Sequence, residues 1–80
     1  MDRFTALEIQ DNYQDIEISS YHLNSNAKGE YGFMFTRLFE GENKVVWSSP
    51  PEYVSDVEAR EKGAELLEEI LENSFKFGEI

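Results

Sequence analysis

Residues 55–73 read SDVEAREKGAELLEEILEN, and this stretch decides how the rest of the chain must be organised. Ser55-Asp56-Val57-Glu58 matches a capping box: a hydroxyl at the cap and a glutamate three residues on, which together satisfy amide groups that a new helix leaves unpaired. Asp56 and Glu58 also suit the positive end of the helix dipole. From there the apolar positions follow helical periodicity to about Asn73. Val57, Ala59, Gly63, Ala64, Leu66, Leu67, Ile70 and Leu71 share about half of the circumference at about 100° per residue. A helix over 56–73 is therefore expected. Gly63 stands in the middle of its apolar stripe, where glycine costs about 1 kcal/mol relative to alanine. That position makes sense if the helix backbone lies close against another element. The opposite arc carries Glu58, Glu61, Glu65, Glu68, Glu69 and Glu72, interrupted only by Lys62.

Working back from the helix, Pro50-Pro51 ends an extended segment, because proline cannot donate to a ladder. Lys44 to Ser49 is that segment, and Glu40-Gly41-Glu42-Asn43 is the turn before it. Residues 30–39 give the strongest strand pattern: Tyr31, Phe33 and Phe35 line one face, and Met34, Thr36 and Leu38 the other. Asn24 to Gly29 has loop chemistry and a length that suits a hairpin. Residues 15–23 alternate Ile16 and Ile18 against Asp15, Glu17 and Ser19. Residues 3–9 show a shorter alternation of Thr5, Leu7 and Ile9 and read as a weak strand. In the tail, 74–80, Phe75 and Phe77 alternate with polar residues.

The order, strands first and helix last, predicts an α+β fold: an antiparallel meander of three or four strands with one C-terminal helix packed on one face. The whole chain, 1–80, is expected to be a single domain. One helix covers one face of such a sheet. Met34 and Leu38 together with Phe75 and Phe77 are then candidates for self-association, and a homodimer is expected.

Composition limits the function. Seventeen acidic residues face seven basic ones, giving a formal net charge of −10 in 80 residues. This charge opposes direct binding to nucleic acid or anionic membranes and favours a basic protein surface. No apolar run approaches the length of a membrane span. Met1-Asp2-Arg3-Phe4 has no basic region leading into an apolar one, so no secretory signal is expected. With no cysteine, thiolate chemistry and cysteine metal sites are excluded. A cytoplasmic location follows as the expectation.

Candidate chemistry is sparse. His22 is the one histidine, and Ser19 and Ser20 stand near it without any nucleophile motif. Asp11, Asp15 and Glu17 supply oxygen ligands in a spacing that does not match a calcium loop. Lys28-Gly29-Glu30-Tyr31-Gly32-Phe33-Met34-Phe35 resembles the aromatic strand of an RNA-recognition motif, with Glu30 as an extra residue that throws Lys28 out of register. The competing reading is a core strand whose aromatics lie under the helix. No enzyme activity, metal or cofactor is expected.

Residues 29–74 resemble the small YegP-like domains of unknown function. The matching residues are Gly29-Glu30-Tyr31, Phe33, Gly41-Glu42, Ser49, Tyr53, Ser55, Ala59, Gly63 and Asn73-Ser74. The resemblance implies a βββα unit that pairs as a tandem repeat or a dimer; it implies no activity. Pro50-Pro51 lengthens the link to the helix relative to that family, and the spacing from Ala59 to Gly63 is one residue longer.

The expected function is a non-enzymatic, acidic protein-interaction module. In its sharper form it is an inhibitor that mimics nucleic acid and occupies the basic site of a nucleic-acid-binding protein, with Glu58, Glu61, Glu65, Glu68, Glu69 and Glu72 as the contact residues. The competing reading is a dimeric structural or regulatory domain whose acidic face serves only solubility.

Overall fold

In the computed structural model, which describes residues 1–24 and 30–72, the chain runs helix, three strands, helix. The strands are β1 (Ile16–His22), β2 (Tyr31–Phe39) and β3 (Glu42–Ser48), in the spatial order β1-β2-β3 with both pairs antiparallel. The C-terminal helix, α2 (Asp56–Glu72), packs on this sheet. The fold is thus α+β, with three strands among the described residues.

Residues 3–9 correct the sequence reading. They form no strand but belong to a helix, α1 (Arg3–Asp11). Asp2 caps it: its carboxylate accepts from the Thr5 backbone N–H at 2.8 Å. That hydrogen bond, the largest influence on the group, holds the Asp2 carboxyl below its usual range. Ala6 and Ile9, three residues apart, are fully buried. The alternation of Thr5, Leu7 and Ile9 fits a strand and a helix equally over seven residues, and the cap and the core decide between them. A single 3-10 turn, Tyr13–Asp15, then leads into β1.

Both helices cover the same face of the sheet. Phe33 and Phe35 point into that layer and are buried with Ala6, Ile9, Ala59 and Ile70. Trp47, opposite Phe35, closes the cluster of rings from β3. α2 lies over β1 and β2, while α1 lies beside α2 toward β3. The Gln10 side-chain amide donates to the Ile70 carbonyl at 2.9 Å and ties the helices together. At Gly63 the backbone of α2 lies close against the sheet. A Cβ there would sit 2.7 Å from Ile18 Cγ2 and 3.0 Å from Phe33 Cδ2. Of the expected apolar stripe, Val57 and Ala64 are exposed.

β2 and β3 join through Glu40-Gly41, both at positive φ (52° and 82°). Such a two-residue turn matches the twist of the strands, so β3 begins at Glu42, earlier than expected. The far end of β3 is shaped by Pro50-Pro51. Where the chain leaves the sheet, the buried Ser49 N–H donates to the Phe33 carbonyl at 2.8 Å, and Ser49 Oγ accepts from the Phe33 N–H at 3.0 Å. After the prolines the chain returns, and Tyr53 exchanges two backbone hydrogen bonds with Tyr31. The outer face carries Tyr21, whose ring lies across Gly32 and whose hydroxyl donates to the Ser49 carbonyl. An aromatic ring thus covers the strand glycine.

Candidate functional site

α2 presents its carboxylates on the side away from Gly63. Glu61, Glu65, Glu68, Glu69 and Glu72 are exposed, and at about 100° per residue they fall within one quadrant or so of the helix surface. Glu58 has a different task. Its carboxylate accepts from the Val54 N–H at 3.2 Å, while its own N–H donates to Ser55 Oγ at 3.1 Å. The capping box thus takes up Glu58, and the expected acidic arc has five solvent-facing members. Lys62 pairs with Glu65 at 3.4 Å, and Arg60 pairs with Asp56 at 3.0 Å. Exposed pairs of this kind are worth a few tenths of a kcal/mol, comparable to the cost of each like-charged pair at the same spacing.

Between α2 and β1 the apolar stripe is not fully covered. Ile18, Ala64, Leu67 and Leu71 line an open groove of about 370 Å³, and Glu68 and Glu72 stand on its rim. The periodicity assigned these apolar side chains to the core. It did not reveal the groove, because a shared helix face does not say where the sheet ends, and among the described residues β1 is the last strand on this side.

At the opposite side, Arg37 on β2 stands directly across from Lys44 on β3. Two cations at paired positions repel each other. Glu8 of α1 approaches Arg37 at 3.6 Å, and both cations lie over the Phe39 ring, at 5.5 and 4.9 Å from its centroid. These contacts supply the compensation. This small basic island was not foreseen, since the pairing depends on where the turn falls.

The remaining candidates separate. Met34 is half-buried and Leu38 exposed on the outer face of the sheet, away from the helices, with the exposed Val45 beside them. Phe75 and Phe77 lie outside the described residues. His22 stacks flat on Tyr31, with ring centroids 3.8 Å apart. Phe33 and Phe35 lie under the helices, so their rings are not available for stacking with bases. Among the described residues, no three His, Asp or Glu side chains come together as metal ligands, and no helix is long and apolar enough to cross a membrane. No protein-family model, curated protein or solved structure matches the chain.

Proposed function

We propose that this chain is a non-enzymatic protein-interaction module whose acidic α2 face engages a basic surface, in the sharper form the nucleic-acid site of a partner protein. The observation that supports this reading is the set of exposed glutamates, Glu61, Glu65, Glu68, Glu69 and Glu72, held on one side of a 17-residue helix. Glu61, Glu65, Glu68 and Glu72 follow one another at three- and four-residue steps, about 4.5–6 Å along the axis. A stiff row of carboxylates at that spacing presents a regular line of negative charge, as a phosphate backbone does. The row persists although neighbouring like charges cost a few tenths of a kcal/mol each. The test is affinity capture from the native host, with the captured partner then titrated at several salt concentrations. A basic, nucleic-acid-binding partner whose affinity falls steeply with salt is expected. Salt-independent binding would contradict the mimicry.

The second reading, a dimeric structural or regulatory domain, is favoured by the outer face of the sheet. There Leu38 and Val45 are 58 % and 59 % exposed, and Met34 lies next to them. The resemblance to YegP-like domains supports the same pairing. On this second reading the acidic face of α2 serves only solubility, and replacing its glutamates would leave binding unchanged.

A further inference from the structure

β1 and β3 are both edge strands, but only one of them is guarded. Proteins protect exposed edges with bulges, lysines, prolines or a covering helix. β3 has three of these: a register shift opposite Phe35/Thr36, Lys44, and Pro50-Pro51 just beyond it. β1, Ile-Glu-Ile-Ser-Ser-Tyr-His, has no bulge, lysine or proline, and α2 packs on its face rather than along its edge. Its register with β2 is unbroken from Ile16 to His22, and no strand flanks its other side among the described residues.

The ladder fixes which groups point outward. The Leu23 N–H donates to the Glu30 carbonyl, its direct partner. In an antiparallel pair such bonded positions recur every second residue, so Tyr21, Ser19 and Glu17 bond to β2. The backbone N–H and C=O groups of Ile18 and Ser20 therefore point away from the sheet. The side chains of these two residues lie on the helix face, and the groove of Ile18, Ala64, Leu67 and Leu71 opens beside them.

Resting on the reading of the chain as a binder of basic partners, we propose that the β1 edge takes up an extended segment of the partner as a fourth strand, with apolar and basic side chains alternating along it. Main-chain pairing with Ile18 and Ser20 supplies the attachment, and alternate side chains supply the selectivity. On the helix side, the segment's apolar residues fill the groove. On the other side, its basic residues meet Glu17, which is exposed on the outer face of β1. Glu68 and Glu72 on the groove rim hold a lysine or arginine at the end of the apolar run. Charge complementarity thus selects a basic strand over an acidic or neutral one.

The probe is a blocked peptide of alternating valine and lysine. Its control carries N-methyl groups on the amides that would pair, which leaves the charge intact. Ser20→Pro is the decisive variant: the Ser20 N–H points outward, so the β1–β2 ladder survives while the edge loses a donor. Ala64→Arg, at an exposed position, fills the groove and offsets part of its negative charge without touching the core. The account expects the parent peptide to slow exchange of the Ile18 and Ser20 amides, and affinity to fall at least tenfold with Ser20→Pro, with Ala64→Arg and with the N-methyl peptide. If Ser20→Pro binds like the wild type while Glu68→Gln with Glu72→Gln does not, the edge is overturned and the acidic face stands. Failure of the wild type to bind the peptide also overturns the strand addition; the capture experiment then judges the acidic face separately. Self-association without peptide that Ser20→Pro abolishes would overturn the choice of occupant in favour of a second copy.

Discussion

Ser49 and Gly63 show how single atoms hold this small sheet to its surroundings. Ser49 is buried at the point where two prolines pull the chain out of β3, and its hydroxyl takes the Phe33 N–H that the departing backbone cannot. Ser49→Ala leaves that buried N–H without a partner and should cost about 1–3 kcal/mol in chemical denaturation. Denaturation unchanged from the wild type would mean that the strand end relaxes to satisfy it. At Gly63 the missing side chain is the feature that matters, since a Cβ would press on Ile18 and Phe33. Gly63→Leu should destabilise by roughly 1–3 kcal/mol, despite leucine's better helix propensity, because two packed elements would have to separate. A thermal melt like the wild type's would contradict this close approach. Gly63 was legible in the sequence as a glycine at the centre of an apolar stripe. Ser49 was not, since its role arises only when the register sets it against Phe33.

Among the elements, α2 was the most legible because its signals are local: a capping box, a dipole-matched first turn and a long period. Ser55 Oγ accepts from Glu58 and so caps the helix as expected. Ser55→Ala should cost about 1 kcal/mol in stability, and no loss on a thermal melt would place the start of the helix elsewhere. α1 was misread because a seven-residue window cannot separate a period of 2 from one of 3.6 when Thr5, Leu7 and Ile9 alternate. The informative pair was Asp2 with Thr5, a cap three residues ahead of its amide, followed by Ala6 and Ile9 at helical spacing. The groove beside β1 was illegible for a different reason. Periodicity says which side chains share a face but not how far the sheet extends beneath them, and here Ala64 and Leu71 line an open groove with Ile18 of the edge strand β1.

Among the described residues, two helices lie on one face of a three-stranded sheet, and none covers the other. Tyr21 lies over Gly32 there, and Met34, Leu38 and Val45 supply the apolar remainder. Burying large apolar side chains stabilises by roughly 1.5–3 kcal/mol each, and salt at physiological strength screens the −10 charge beyond about 8 Å. Sedimentation equilibrium at micromolar concentration should therefore show a homodimer that Leu38→Lys returns to monomers; a monomer at every concentration would contradict that pairing. The central claim is that the glutamates of α2 bind a partner rather than merely keep the chain in solution. Its most direct test is to capture partners from the native host with wild-type protein and with Glu65→Gln, Glu68→Gln and Glu69→Gln combined, alongside thermal melts of both proteins. The account predicts that the variant melts slightly higher, as like-charge repulsion is relieved by a few tenths of a kcal/mol, and that it loses the basic partner. A variant that folds and retains the same partner at the same affinity would contradict it.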